Sequence, residues 1–255
     1  QVPRCEFFPM QATQTNVVGS QNIINSAISH GVSKVISLST DKAVYPVNAL
    51  GITKALMEKV VQSTSRKLSQ GQTILSLVRY GNVLFSRGSV IPLFIKQIRE
   101  KKPITVTEYE MTRFLLPLKE AIQLVGFALQ NGRQGDIFVC NAPSANIGDL
   151  AQALKNIFSS GSEIKIMGIR HGEKLHETLV SKEELLRSED MGDYLRLSMD
   201  DRDLNYKKYL SEGDKKVIQT EDYTSQNTTR LTVPKIEEML LAQPEIIAEL
   251  KNQKL

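Results

Sequence analysis

Lys34-Val-Ile-Ser-Leu-Ser-Thr-Asp-Lys-Ala-Val-Tyr-Pro-Val-Asn-Ala-Leu-Gly-Ile-Thr-Lys-Ala-Leu-Met-Glu-Lys59 is the stretch whose reading decides the fold. Its first seven residues, Lys34 to Thr40, form a short β-branched run and predict a strand. Val47 to Leu68 reads as a long helix. Upstream, Pro9 to Ser29 carries apolar residues at helical spacing and stops at Gly31. Downstream, Thr73 to Tyr80 predicts a second strand. Helix, strand, helix, strand in this rhythm implies parallel crossovers and a covered sheet. Such open sheets hold their ligands beyond the carboxyl ends of the strands. The segments after Leu38 and Tyr80 are therefore where chemistry is expected.

Beyond Gly81 the texture changes. Helices are predicted over Val90–Glu100, Lys119–Gln130 and Ile147–Phe158, and strands over Ile104–Thr107, Ile137–Asn141 and Glu163–Ile169. Ser181 to Arg230 is charged and weakly periodic. Val233 to Leu255 is helical with a break at Pro244. The expected organisation is a first unit over 1–83, a mainly separate lobe over 84–230 and a helical tail over 231–255, with the chain free to cross between lobes more than once.

The bulk numbers exclude several classes. A net charge of +4, from 32 basic and 28 acidic residues, is too small and scattered for a nucleic-acid partner. No run approaches the ~20 apolar residues that span a bilayer. Cys5 and Cys140 lack metal-ligand spacing, and three His form no zinc signature, so no metal is expected. Without a visible signal peptide, a reducing cytoplasm is expected. The first residue is Gln1, which suggests a fragment or processed form.

Ser39-Thr40-Asp41-Lys42 offers hydroxyls, a carboxylate and an amine at a strand end. Adjacent Asp and Lys can divide acid and base roles. Taken alone, the four residues read equally as a helix cap or a loop ion pair. Lys54 lies four residues after Leu50, so the two share a helix face. Exposed amides before Val90, in Ser86-Arg87-Gly88-Ser89, favour an anion. Arginines suit phosphate oxygens better than lysines do, but any one arginine read alone is more often a surface ion pair than a ligand.

With these motifs in order, the chain resembles the polysaccharide-biosynthesis (CapD-like) family of extended short-chain dehydrogenases/reductases. It is most similar to the branch of UDP-N-acetylglucosamine 4,6-dehydratases that inverts C5. The resemblance runs over essentially the whole chain, from Val2-Pro-Arg-Cys-Glu-Phe-Phe-Pro-Met10 and Thr15-Asn16-Val-Val-Gly19 through Val35 to Lys59. It continues in Arg79-Tyr-Gly-Asn-Val83, Ser86-Arg-Gly-Ser-Val-Ile-Pro92, Met111-Thr-Arg-Phe114, Arg170-His-Gly-Glu-Lys174 and the stretch Asp200 to Tyr209. The fold class implied is α/β, an incomplete Rossmann-type parallel sheet with its N-terminal part missing, plus a smaller C-terminal α/β substrate-binding lobe.

The resemblance implies a site. Lys42 would take the C5 proton, Asp41 would help the C6 hydroxyl leave, Thr40 would bond the C4 oxygen, and Lys54 would anchor the nicotinamide ribose. Leu50 stands where the family's catalytic Tyr is usual. Asn16, Ser39, Tyr80 and Gly81 would adjoin the cofactor, with Gly81 permitting close backbone approach. Asn82, Arg79, Arg87, Val90, Arg113, Arg170, Glu173 and Glu177 would face the UDP-sugar. The G-x-G-x-x-G fingerprint is not in the sequence. NADP or NAD is thus expected in a longer parent, with none held tightly by this chain alone. A homo-oligomer is implied for that parent. A UDP-sugar 4-epimerase and a non-catalytic remnant remain as alternatives.

Overall fold

A computed structural model of the chain describes residues 2–69, 71–199 and 221–253. Asp200 to Tyr209 lies outside the described residues. The chain opens with helices α1 (Val2–Phe7), α2 (Pro9–Thr13) and α3 (Gly19–Ser29), the last two joined by a π-helical turn over Gln14–Val18. Strand β1 (Lys34–Thr40) runs into a 3₁₀ turn (Asp41–Ala43), helix α4 (Ala49–Ser65) and strand β2 (Ile74–Tyr80). Then come β3 (Asn82–Val83), α5 (Val90–Arg99), β4 (Ile104–Val106), β5 (Thr112–Leu116), α6 (Leu118–Asn131) and β6 (Ile137–Cys140). They are followed by β7 (Ser144–Asn146), α7 (Ile147–Ile157), β8 (Ile164–Ile166) and β9 (Thr178–Val180). Helix α8 (Lys182–Leu185), the hairpin β10 (Ser188–Asp190) and β11 (Tyr194–Leu197), and β12 (Tyr223–Thr224) come next. Helices α9 (Val233–Leu241) and α10 (Pro244–Gln253) end the described chain.

The main sheet has the order β1-β2-β6-β11-β10. β1 and β2 pair in parallel along their whole length, Lys34 opposite Ile74 and Thr40 opposite Tyr80. β6 continues in parallel, with Arg79 opposite Val139. β11 and β10 join antiparallel, so the sheet is mixed rather than purely parallel. β10 and β11 form a hairpin, and a short turn can only reverse the chain, whereas a parallel step such as β1 to β2 needs a crossover. This is the α/β Rossmann-like architecture that the sequence predicts, and it brings the ends of β1 and β2 side by side.

Two hydrophobic cores support the site. One gathers Ile24, Met57, Val61, Leu77, Leu124 and Phe138 around the main sheet. The other gathers Phe94, Ile104, Leu150, Leu154, Ile236 and Ile246 between α5, α7 and the last two helices. Helix α5 reaches it through Ile91, Phe94, Ile95 and Ile98, one face at helical spacing. Each such side chain stabilises by about 1.5–3 kcal/mol when fully buried. β5 belongs to both cores. Side chains alternate along a strand, and Phe114 and Leu116 enter the first core while Leu115 enters the second.

Among the described residues, no helix is long and apolar enough to cross a membrane.

Candidate active site

The turn after β1 concentrates charge. Thr40 ends the strand in extended backbone and its Oγ accepts from the Lys42 backbone N–H at 3.4 Å, which starts the 3₁₀ turn. The same hydroxyl donates to Asp41 Oδ1 at 2.9 Å. Lys42 Nζ donates to that oxygen at 3.0 Å and lies 3.2 Å from Glu177 Oε1. Asp41 is fully buried and Glu177 nearly so. Their other oxygens, Asp41 Oδ2 and Glu177 Oε2, are buried without a hydrogen-bond partner among the described residues. Arg113 Nε and Lys174 Nζ approach Glu177 at 3.8 and 4.0 Å.

The charge balance fixes the proton. Burial alone would push the Lys42 amine down, but the Asp41 and Glu177 carboxylates outweigh it and hold the group above its ordinary value. Lys42 therefore rests as an ammonium. Burial pushes the Lys174 amine the other way, and the Glu177 and Asp41 carboxylates offset it only in part.

Helix α4 is docked onto this turn. Asn48 caps it, its side chain accepting from the Gly51 N–H at 2.8 Å, and a carboxylate oxygen of Glu6 on α1 accepts from the Ala49 N–H. A Cβ on Gly51 would come within 2.2 Å of the Lys42 carbonyl oxygen, so only glycine allows the contact. One turn on, Lys54 Nζ donates to the Leu38 carbonyl at 3.0 Å, and burial pushes its pKa down.

A cleft of about 670 Å³ opens beside the turn. Lys42 and Leu50 line it, together with Asn82, Arg87, Val90, Arg113, Arg170, Glu173 and Glu177. The structure thus brings together seven of the eight residues expected to face the sugar nucleotide. Five buried polar atoms without partners belong to this region: Asp41 Oδ2, Asn82 Oδ1, Ser89 Oγ, Glu173 Oε2 and Glu177 Oε2. Unpaired buried polar groups are costly, and their concentration here marks a place built for a polar ligand. The free N-terminus of α5 adds amides at Ser89–Val90, and the Ser89 side chain makes no cap.

One expectation is corrected. Arg79 does not face the cleft. It is 2% exposed, and its guanidinium donates to Glu58 at 3.0 and 2.7 Å, to Glu184 at 2.9 and 3.0 Å and to the Leu179 carbonyl at 2.8 Å. No donor remains for a diphosphate. Ser39 is buried, donates to Glu58 and does not line the cleft. Gly81 allows a close approach within the chain, since a Cβ there would meet the Phe114 Cβ at 2.6 Å. Asn16 sits in the π-helical turn and donates to Thr53 Oγ at 2.9 Å, while the half-buried Tyr80 ends β2; neither lines the cleft. Reasoning from sequence missed Asn48 and Glu58. Asn48 was visible as a cap before a helix start; Glu58, one acidic residue on a helix, gave no signal of its buried partner.

Lys54 fits the nicotinamide ribose, since its ammonium stands at the end of β1 bonded to one carbonyl and adjoining Met57 Sδ. Nothing in the sequence fits a dinucleotide pyrophosphate, because no G-x-G-x-x-G occurs in it. Among the described residues, no group of three or more His, Cys, Asp or Glu could hold a metal ion.

Residues 1–199 match the family described as "Polysaccharide biosynthesis protein", and residues 200–246 match "Polysaccharide biosynthesis protein C-terminal". The chain belongs to this polysaccharide biosynthesis family. It is 54% identical over 252 residues to a Rickettsia felis protein named UDP-glucose 4-epimerase, covering 99% of this chain and 74% of that protein. A Rickettsia prowazekii protein of the same name matches to the same extent. Among solved structures, Pen from Bacillus thuringiensis superimposes with a TM-score of 0.83 at 31% identity, over 95% of this chain and 72% of that one. A UDP-N-acetylglucosamine 4-epimerase from Methanobrevibacter ruminantium M1 shares the fold at 21% identity and a TM-score of 0.60, over 68% of this chain and 62% of that one. The family comprises nucleotide-sugar-modifying short-chain dehydrogenases/reductases.

Proposed function

We propose that this chain carries the substrate cleft and acid–base residues of a UDP-hexose 4-epimerase serving polysaccharide synthesis. The observation that carries the reading is 54% identity, over nearly the whole chain, to proteins named UDP-glucose 4-epimerase. The cleft supports it. Arg87, Arg113 and Arg170 offer guanidinium groups to the diphosphate, and the α5 N-terminus adds amides. Glu173 Oε2 and Glu177 Oε2, both without partners, accept hydroxyls of ribose or hexose.

A bound nicotinamide dinucleotide, NAD or NADP, would supply reversible oxidation at the sugar C4. The residues of this chain handle the proton on O4. Leu50 has no ionisable group, so that work falls on the turn after β1. Thr40 orients the oxygen. When C4 is oxidised, the O4 proton passes to a carboxylate of the Asp41–Glu177 pair through the Lys42 ammonium, which stabilises the charge on O4; when C4 is reduced, Lys42 returns a proton to O4 and is reprotonated from that carboxylate. This reverses the sequence expectation for the pair, in which Lys42 was the resting base and Asp41 the acid. Lys54 holds the ribose.

A second reading, a UDP-N-acetylglucosamine 4,6-dehydratase with C5 inversion, is favoured by one observation: an ammonium between two carboxylates beside an apolar Leu50. Elimination of water needs two proton-transfer groups and no phenol. Incubating the holoenzyme with UDP-glucose and with UDP-N-acetylglucosamine, and reading the products by NMR, separates the two. A C4 epimer without loss of water is the expected result. A 4-keto-6-deoxy product would establish the second reading, and no turnover of either sugar would overturn both.

A further inference from the structure

Asn48 makes two hydrogen bonds of opposite sense. Its Oδ1 accepts from the Gly51 N–H at 2.8 Å, and its Nδ2 donates to the Gly172 carbonyl at 2.8 Å. Only one orientation of the amide satisfies both, since one partner is a donor and the other an acceptor. The side chain is 5% exposed, so these bonds do not compete freely with water. Gly172 lies in the loop Arg170–Lys174, and its φ of 74° is a left-handed conformation that favours glycine. A Cβ on Gly172 would come within 3.3 Å of the Asn48 Cβ, so the loop backbone lies directly against the cap. A second tie runs parallel to the first: Lys174 Nζ donates to the Val44 carbonyl, just past the turn that holds Lys42.

An ordinary helix cap needs an acceptor alone. Ser, Thr or Asp would serve. The amide donor is therefore surplus to capping, and it points at the loop that carries Arg170, Glu173 and Lys174 into the cleft. We propose that Asn48 is a positioning residue that fixes the Arg170–Lys174 loop to the N-terminus of α4, setting the grip on the nucleotide in register with the Lys42 turn. This rests on the reading of the cleft as a UDP-sugar site.

The test uses substitutions that separate the two bonds. Asn48→Asp keeps the acceptor for Gly51 and suits a helix N-terminus, but has no donor for the Gly172 carbonyl. Asn48→Ala loses both. UDP is titrated into wild-type and variant holoenzymes by calorimetry, melting temperatures are measured, and KM is compared with kcat for the UDP-sugar. Asn48→Asp is expected to melt within about 3 °C of wild type. Its dissociation constant for UDP should rise about tenfold, the scale of one lost hydrogen bond with its carbonyl left unsatisfied, and KM should rise more than kcat falls. Asn48→Ala should weaken UDP binding as much and also lower the melting temperature. Wild-type affinity for UDP in Asn48→Asp would overturn the proposal. Failure of the wild type itself to bind UDP would instead remove the reading beneath it.

Discussion

Lys42 Nζ lies 3.2 Å from Glu177 Oε1, so a cation on the turn after β1 is held by a carboxylate from the segment entering β9. With Asp41 at 3.0 Å on its other side, the ammonium is clamped between two anions in a setting where burial alone would neutralise it. Removing one anion should tip that balance. In Glu177→Gln, the limb of the pH–rate profile that reports loss of the Lys42 proton is expected to move to lower pH, and Glu177→Asp should restore much of it. A raised lysine stabilises the fold fully below its unfolded value and loses that contribution as pH rises through its folded value. Alkaline unfolding of Glu177→Gln should therefore begin at lower pH than in wild type. Identical profiles would show that Glu177 does not hold Lys42.

Lys42 and Leu50 line the same cleft, and only one of them can move a proton. Lys42→Met is expected to lower kcat by about 10²–10⁴-fold, the usual scale of a general acid or base. Leu50→Ala should lower it less than about tenfold, since it removes packing and no proton-transfer group. Steady-state turnover of the UDP-sugar measures both. Comparable losses would mean that the turn after β1 does not carry the proton chemistry.

The course of the backbone was largely legible in the sequence, while the partnerships of single charged residues were not. Lys34 to Thr40 forms a strand over the bounds its β-branched run predicts. Pro9 to Ser29 is helical throughout, though the π-helical turn left no trace in its pattern. β5 was missed because Thr112-Arg-Phe-Leu-Leu116 lacks polar alternation, a consequence of being buried by a core on each side. Asp41, Lys42 and Arg113 were singled out because their neighbours in the chain resemble a family. Arg79 was misread for the same reason: the motif Arg-Tyr-Gly-Asn gave its place in the chain but not the two acids, on α4 and α8, that enclose it.

Arg79 carries a structural prediction. Its buried guanidinium joins the buried Glu58 and the partly exposed Glu184. Arg79→Met would leave two carboxylates without their cation, and breaking a buried pair costs about 3–5 kcal/mol. Urea unfolding measures that loss. UDP affinity of the folded fraction should match wild type. A stable variant with weakened UDP binding would return Arg79 to the substrate side.

Gly81→Ala tests the seam behind the acid–base turn. The added methyl would stand 2.6 Å from the Phe114 Cβ and 3.3 Å from Asp41 Oδ2. Phe114 is wholly buried, so it has little room to retreat. Overpacking of this kind costs about 1–3 kcal/mol. A fall in melting temperature together with a fall in kcat is expected, because the displaced neighbour includes Asp41. A variant that keeps both would show that Asp41 tolerates movement.

A strand planted in two cores makes a poor hinge. β5 sends Phe114 and Leu116 one way and Leu115 the other, so rotating one half of the molecule against the other would tear residues out of tight packing on at least one side. Arg113 sits on that same strand and lines the cleft, so its guanidinium is carried on a support braced from both sides.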